Sequence, residues 1–232
     1  MRIISGEAKG KKLYSPKGRG VRPTADRIKE AIFDILGPEW RGIRALDLFS
    51  GTGSLGLEAL SRGAERVVFV ERSRPALNAL NKNISLCGFG ARARVMATSV
   101  SRALALIGKR GESFGIIFAD PPYGKGWVEK TIEEVLRNRV LSRDGMIVIE
   151  HTPRESPPAE QSGLIALRQE TYGETSISFL GFGRDRGQGG AEAEKDGRGR
   201  EGKRLAGVDS GSETYCPARR KEPRALESRV DP

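Results

Sequence analysis

The chain has few of the residues from which metal centres and disulfide frameworks are built. Its 232 residues include one histidine, His151, and two cysteines, Cys87 and Cys216. One histidine cannot complete a metal-ligand cluster, and two cysteines are too few for a disulfide framework. We therefore expect no metal site. We also expect His151, which follows the apolar run 146–149, to end a strand rather than to act as a general base.

Long apolar segments are also missing. No run of about 18 apolar residues occurs, and no signal peptide opens the sequence, which predicts a cytoplasmic protein without membrane contact. Hydrophobic residues make up 37% of the chain, below the roughly 45–50% of typical globular domains. The deficit is concentrated in residues 184–232, which are rich in Gly, Arg, Glu, Lys and Asp. We predict that this tail is disordered, because it cannot bury enough apolar surface to offset the entropy of ordering.

Positive charge is concentrated at the N-terminus. The formal net charge of the chain is +10, and residues 1–30 hold nine basic against three acidic residues. A basic extension suits a polyanion, because neutralised phosphates release counterions. A merely solvated basic face is the alternative. The candidate contact residues are Lys9, Lys11, Lys12, Arg22 and Arg27.

Hydrophobic patterning from residue 44 onward alternates between strand and helix. Strands are predicted at 44–49, 66–71, 92–97, 114–119, 144–150, 164–171 and 175–182, and helices at 54–62, 75–86, 100–108 and 127–138. A hairpin over 2–14 and a helix over 25–36 precede them. Such alternation with short loops predicts an α/β fold with a mostly parallel, seven-stranded sheet. A closing hairpin adds one antiparallel strand.

A glycine-rich loop follows the first of these strands. Gly51, Gly53 and Gly56 have the spacing G-x-G-x-x-G between a strand and a helix, which allows a tight turn and close approach of a ligand to the backbone. Glu71 ends the next strand, about 20 residues later, where a carboxylate can accept the hydroxyls of a ribose. Asp47 stands four residues before Gly51, where it could meet an ammonium group. These features fit NAD and S-adenosylmethionine, and Asp47 favours the latter.

A second motif, Asp120-Pro121-Pro122-Tyr123, follows the strand 114–119. Two prolines make a stiff corner that can present the carbonyls of Asp120 and Pro121 as hydrogen-bond acceptors. A carboxylate, a fixed turn and an aromatic ring together suit a flat base whose amino nitrogen attacks a methyl group. A plain proline turn with an exposed tyrosine is the alternative. Because both motifs lie at carboxyl ends of parallel strands, we expect them to share one cleft.

The segment 47–64 resembles the S-adenosylmethionine motif of the RsmD family of bacterial 16S rRNA guanine-N2 methyltransferases. The segments 2–6, 9–13, 21–33 and 172–175 agree with that family, so the resemblance covers roughly residues 1–182. It implies a Rossmann-like class I methyltransferase domain over 41–183, preceded by a basic extension over 1–40 that contacts RNA. One position departs from the family pattern, because Ser99 stands where the family usually places Asp or Asn against the adenine amino group.

The resemblance implies S-adenosylmethionine as cofactor and ribosomal RNA or the assembling small subunit as partner, with the protein acting as a monomer. Asp120 and the Pro121 carbonyl would hold the guanine amine, and Tyr123 would stack on the base. Tyr123→Phe should then be nearly silent, because the ring remains. Two alternatives stay open: an adenine-N6 DNA or RNA methyltransferase, and a non-catalytic RNA-binding assembly protein with the same fold.

Overall fold

The computed structural model describes residues 1–15, 23–124, 126–158 and 160–183, which alternate between helix and strand as predicted. Arg22 and the predicted tail 184–232 lie outside these ranges. The helices are α1 (Pro23–Leu36), α2 (Ser54–Ser61), α3 (Arg74–Cys87), α4 (Val100–Lys109) and α5 (Trp127–Arg137). The strands are β1 (Arg44–Leu48), β2 (Arg66–Glu71), β3 (Ala93–Ala97), β4 (Phe114–Ala119), β5 (Leu141–His151), β6 (Glu160–Gln161), β7 (Leu164–Tyr172) and β8 (Thr175–Phe182).

The strands form one sheet in the order β3-β2-β1-β4-β5-β8-β7-β6. Strands β1 to β5 pair in parallel, whereas β8 is antiparallel to both β5 and β7. The chain moves outward from β1 to β3 and then crosses back to β4 on the other side of β1. The loops after β1 and β4 therefore diverge, which opens a crevice at their carboxyl ends.

The predicted mostly parallel sheet is confirmed, and all seven predicted strands are present. Among the described residues the sheet has one further strand, the two-residue β6, at the edge next to β7. Two residues carry no alternation of apolar and polar side chains, so the sequence holds no periodic signal for it. The five predicted helices are also present, with ends that differ by at most two residues.

Successive side chains of each strand point to opposite faces of the sheet, and they pack into two apolar layers, one on each face. Helices α1, α2 and α3 cover one face, where Phe33 and Trp40 pack on Phe118 of β4. Helices α4 and α5 cover the other face, over the side chains that point the opposite way. The central strands are buried on both faces, as the continuous apolar runs in their sequences indicate.

The N-terminal segment is part of the same core. It turns back on itself with a single antiparallel bridge between Arg2 and Lys12, so the predicted hairpin is present in a minimal form. Ile3, Ala8 and Leu13 are buried in the layer that contains α1 and α2. The assignment of 1–40 as a separate RNA-contacting extension remains a prediction, although its apolar side chains pack with the domain.

A buried charge cluster attaches this segment to α2. Glu58 is fully buried and accepts hydrogen bonds from the backbone nitrogens of Ile4 and Ser5, at 2.7 and 2.9 Å. Lys29 of α1 is also buried, with its Nζ 3.6 Å from Glu58. Burial of an ion pair is favourable only when the remaining polar groups are satisfied. Here Glu58 also accepts from Arg62 Nε, and Lys29 Nζ also donates to the carbonyl oxygen of Arg2 and to Ser54 Oγ. Lys29 is therefore a structural cation, and does not belong to the exposed basic surface.

Close backbone contact explains Gly6 in this segment. Its φ is +77°, and a Cβ built there would lie 1.7 Å from the carbonyl oxygen of Ser61 at the end of α2. Glu7 N donates to that same carbonyl at 2.9 Å, and Ala8 N donates to Ser61 Oγ at 3.0 Å. No other residue type fits at position 6 without moving the segment away from α2.

His151 ends β5, which confirms its predicted place at a strand end. Its ring is fully buried, with Nδ1 2.8 Å from the carbonyl oxygen of Thr152 and Nε2 2.8 Å from Ser178 Oγ. Both ring nitrogens are thus used inside the sheet. In the described ranges no three metal-ligating side chains cluster, and each described helix is too short or too polar to cross a bilayer.

Candidate active site at the carboxyl ends of the parallel strands

The registers of the central strands bring the two sequence motifs together. Leu48, the last residue of β1, is paired with Val70 on one side and with Ala119 on the other. The glycine-rich loop, Glu71 and Asp120 each follow directly from these three positions. They therefore emerge side by side at the topological switch point, where ligands of doubly wound sheets bind.

The glycine-rich loop contains two glycines in the left-handed region. Gly51 has φ +55° and Gly53, which precedes α2, has φ +82°. A Cβ at Gly53 would lie 2.4 Å from Leu80 Cδ1, so a larger residue there would collide with α3. A Cβ at Gly51 would meet only one atom within 4 Å, at 3.9 Å. The loop at Gly51 thus leaves open space next to the backbone, as close approach of a ligand requires.

Gly56 has a different role, because it lets α2 pack against β1 and β2. A Cβ there would lie 2.3 Å from Phe69 Cε1 and 2.9 Å from Asp47 Oδ2. The backbone nitrogen of Gly56 donates to that Asp47 oxygen at 3.0 Å. Gly56 therefore supports the loop from beneath, and the prediction that it contacts the cofactor remains untested.

Asp47 is almost completely buried beneath the loop. Burial raises the pKa of its carboxyl to about 7, the hydrogen bond from Gly56 opposes that rise, and the negative charge of Glu71 adds to it. A carboxyl with this pKa gains or loses its proton near neutral pH. A cationic ligand above the loop would favour its ionised form.

Glu71 is held in place by three backbone N–H groups. Its Oε2 accepts from Gly51 N at 2.9 Å, and its Oε1 accepts from Arg72 N and Ser73 N at 2.8 and 2.7 Å. The side chain thereby joins the loop after β1 to the loop after β2. These bonds fix the direction of the carboxylate before any ligand binds, which lowers the entropy cost of binding.

Ser99 follows β3 and caps helix α4. Its hydroxyl accepts a hydrogen bond from Arg102 N at 3.4 Å, a common role for serine at a helix start. The hydroxyl can still donate a hydrogen bond. The structure places Ser99 at the same sheet edge as Glu71, and its predicted contact with adenine stays a prediction.

The Asp-Pro-Pro-Tyr corner projects from the end of β4. Asp120 is exposed, Pro121 is buried, and the side chain of Tyr123 is 52% exposed. The Tyr123 hydroxyl donates to Glu150 Oε1 at 2.6 Å. The next residue is also tied down, because Gly124 N donates to Glu155 Oε2 at 2.8 Å. Two carboxylates from β5 and the turn after it thus hold the corner.

Sequence reasoning missed two side chains that support the loops. Asn83 of α3 is fully buried, accepts from Tyr14 N at 2.7 Å, and donates to the carbonyls of Tyr14 and Thr52 at 3.1 and 3.0 Å. It therefore links the N-terminal segment to the glycine-rich loop. Phe49, at φ +57°, contacts Trp127 at the start of α5, with ring centroids 6.1 Å apart. The polar Asn83 on an otherwise apolar helix face was the available signal.

The candidate basic residues differ in their surroundings. Lys9, Lys12 and Arg27 are exposed. Lys11 is also exposed, but its Nζ donates to the carbonyl oxygen of Leu86 at 2.7 Å, which ties the N-terminal segment to the end of α3. Lys9 and Lys12 are thus the clearest probes of the basic surface, because they are exposed and neither holds the segment in place through a hydrogen bond of this kind.

Comparison with known proteins decides the family. The family model described as Conserved hypothetical protein 95 matches residues 1–181. The chain belongs to this family. YlbH of Bacillus subtilis is 39% identical over 179 residues, which are 77% of this chain and 97% of YlbH. Ribosomal RNA small subunit methyltransferase D of Escherichia coli is 34% identical over 176 residues, covering 76% of this chain and 87% of that protein.

Solved structures agree with the family assignment. The structure of yhhF from Escherichia coli superimposes with a TM-score of 0.70 at 33% identity, covering 78% of this chain and 97% of that one. The resemblance to the RsmD family and the predicted fold class are therefore confirmed. The matched residues 1–181 of this chain include the N-terminal segment, the glycine-rich loop and the Asp-Pro-Pro-Tyr corner.

Proposed function

We propose that this protein transfers a methyl group from S-adenosylmethionine to the exocyclic N2 of a guanine in 16S ribosomal RNA. One observation carries the proposal: a ribose-binding type of loop and carboxylate emerge beside an Asp-Pro-Pro-Tyr corner at one switch point. The Escherichia coli relative is named for methylation of small-subunit ribosomal RNA. Such a protein works where ribosomes are assembled, in the cytoplasm, and we expect it to act as a monomer.

The residues present suit this cofactor. Open space beside Gly51 leaves room for a ligand against the backbone, and Glu71 presents an oriented carboxylate to the hydroxyls of a ribose. Asp47 supplies a negative charge beneath the loop, matched to the ammonium group of the methionine part. Gly53 shapes the loop, and Ser99 is the candidate contact for adenine. When bound, S-adenosylmethionine supplies the electrophilic methyl group.

The acceptor side is formed by Asp120, Pro121 and Tyr123. The exocyclic amine of guanine is a poor nucleophile, because its lone pair is delocalised into the ring. Hydrogen bonds from its protons to the Asp120 carboxylate and the Pro121 carbonyl oxygen would draw the nitrogen toward a tetrahedral shape. The Tyr123 ring would stack on the base and keep the lone pair in line with the methyl carbon. Positioning and oriented dipoles then account for most of the acceleration.

The basic N-terminal segment supports an RNA substrate. Lys9, Lys12 and Arg27 are exposed on the segment and on α1, and the segment is fastened to the glycine-rich loop through Asn83. A phosphate backbone held by these cations would lie close to the domain that binds the cofactor. Arg22 belongs to the same predicted set.

The proposal is tested by mass spectrometry of nucleosides from small-subunit RNA of a strain that lacks the gene. We expect N2-methylguanosine to be lost, to return with the wild-type gene, and to stay reduced with Asp120→Ala. An exposed carboxylate on α1 gives the matched control, so Asp34→Ala should restore methylation fully. Loss of N6-methyladenosine instead would support the adenine methyltransferase, and an unchanged nucleoside profile would support a non-catalytic assembly protein.

A rate measurement separates binding from chemistry at Asp120. The hydrogen bonds from the guanine amine to the Asp120 carboxylate would become stronger only as the amine nitrogen becomes tetrahedral. Asp120→Ala should therefore lower the single-turnover rate about a hundredfold, while calorimetry shows nearly unchanged affinity for S-adenosylmethionine. Glu71→Ala should instead weaken the affinity for S-adenosylmethionine at least about tenfold. A normal rate for Asp120→Ala would refute the proposed mechanism.

A further inference from the structure

The Tyr123 ring would need a fixed direction to stack on a base, and the two prolines before it restrict their own backbone but not the Tyr123 side chain. The side chain is 52% exposed, and Gly124 and Gly126 both have positive φ. Glycines permit more backbone conformations than other residues. Contacts from outside the loop must therefore set the ring's orientation.

The outside contacts come from the end of β5. Its residue Ile149 is paired with Ala119, the last residue of β4, so Glu150 and Asp120 are the next residues after this pair. The Tyr123 hydroxyl donates to Glu150 at 2.6 Å, a short distance typical of a bond to an ionised acceptor. One step along the loop, Glu155 accepts from Gly124 N.

We propose that Glu150 is a positioning residue, which orients the Tyr123 ring so that the target base stacks in line for methyl transfer. This inference rests on the proposed function. It replaces the expectation from sequence that Tyr123→Phe is nearly silent, because the hydroxyl has a partner that sequence reasoning did not identify. Glu150 acts through the ring and does not itself contact the base.

The protonation state of Tyr123 agrees with this arrangement. Burial first, and then the hydrogen bond to Glu150, raise the pKa of the Tyr123 hydroxyl above its ordinary value, and a contact with Thr175 opposes the rise. The hydroxyl therefore keeps its proton at neutral pH and remains a donor. Thr175 begins β8, just after the turn at 173–174.

A double-mutant cycle tests the proposal in single-turnover methylation of RNA. Tyr123→Phe and Glu150→Ala should each lower the rate between about threefold and tenfold, the scale of one partly exposed hydrogen bond. The double variant should lose no more than either single variant, because both remove the same contact. Glu150→Gln, whose amide oxygen can still accept, should retain most of the rate. Affinity for S-adenosylmethionine should not change.

Matched controls come from the β7–β8 hairpin. Tyr172→Phe removes a hydroxyl and Glu170→Gln neutralises a carboxylate on β7, and neither should change the rate. Losses that add in the double variant would overturn the proposal, because Glu150 would then act on the base independently of Tyr123. Full activity in both single variants would overturn it as well, because the hydroxyl contact would then have no effect on chemistry.

A spectroscopic titration tests the contact between Tyr123 and Glu150 without a measurement of methylation. The tyrosinate transition that disappears in Tyr123→Phe should lie at lower pH in Glu150→Ala than in wild type, because burial and then the hydrogen bond to Glu150 raise that pKa and the variant loses the second cause. An unmoved transition would show that the contact is not made in solution. Failure of the proposed function would appear separately, as wild-type protein that methylates no guanine while the titration still reports the contact.

Discussion

Replacement of Asp47 by Asn should stabilise the ligand-free protein more at high pH than at low pH. Burial raises the pKa of Asp47 from 3.8 to about 7, so folding opposes its ionisation. Below about pH 4 the carboxyl is neutral in both states and there is no cost. Between pH 4 and pH 7 the Asp47 carboxyl is ionised in the unfolded chain but keeps its proton in the folded one, so the free energy of unfolding falls as the pH rises. Above pH 7 the whole cost is present.

The size of the effect follows from the two pKa values. A pKa higher by about three units corresponds to about 4 kcal/mol. The cost of the ionised carboxyl is then about 2 kcal/mol at pH 5 and about 4 kcal/mol at pH 8. Asn avoids this cost, and its amide oxygen can still accept from Gly56 N. Any packing cost of Asn is the same at both pH values, so the difference between them, about 2–3 kcal/mol, isolates the charge.

Urea denaturation of wild type and Asp47→Asn at pH 5 and pH 8 measures this difference. Asp34→Asn, at an exposed position of α1, is the matched control and should show no such dependence on pH. The reasoning is refuted if Asp47→Asn changes the free energy of unfolding equally at both pH values. The same variant should bind S-adenosylmethionine more weakly, because the negative charge is lost, and calorimetry would show this.

Three further results are expected. Gly56→Ala should destabilise the protein by about 1–3 kcal/mol in urea denaturation, because its Cβ would overlap Phe69 Cε1; Gly90→Ala, whose Cβ meets nothing within 4 Å, is the control, and equal losses would contradict this account. Combined replacement of Lys9 and Lys12 by Ala should weaken RNA binding and make it less dependent on salt, by up to about one counterion per contact; unchanged binding would mean that this surface is only solvated. A chain that ends at residue 183 should keep the melting temperature and the methylation rate of the whole protein, and a large loss of either would show that the tail takes part in folding or RNA binding.

Much of the architecture could be predicted from local patterns in the sequence. Apolar runs alternate with amphipathic segments. The helices and strands follow these patterns because each type of element buries the apolar side chains that match its own period. Strand β6 was missed because two residues carry no period. The glycine-rich loop and the Asp-Pro-Pro-Tyr corner were visible because Gly and Pro restrict or free the backbone at their own positions, without help from the rest of the fold.

Contacts between segments distant in the sequence could not be predicted in this way. In the sequence, Lys29 is one of the basic residues of the N-terminal extension, and only the packing of α1 against Glu58 shows that it is buried and paired. Asn83 lies 69 residues from Tyr14, yet its hydrogen bonds link that residue to the glycine-rich loop. No local pattern encodes such a pairing.

The sequence by itself determined which chemical groups this protein carries and in what order, from Asp47 and the glycines to Asp120 and Tyr123. The tertiary structure decided how those groups are held: Asp47 beneath the loop with a raised pKa, Glu71 across two loops, and Tyr123 against Glu150. The physical reason is that burial, desolvation and hydrogen-bond partners depend on neighbours brought together by strand register. Residue identity sets a side chain's chemistry, and the fold sets its orientation and its charge.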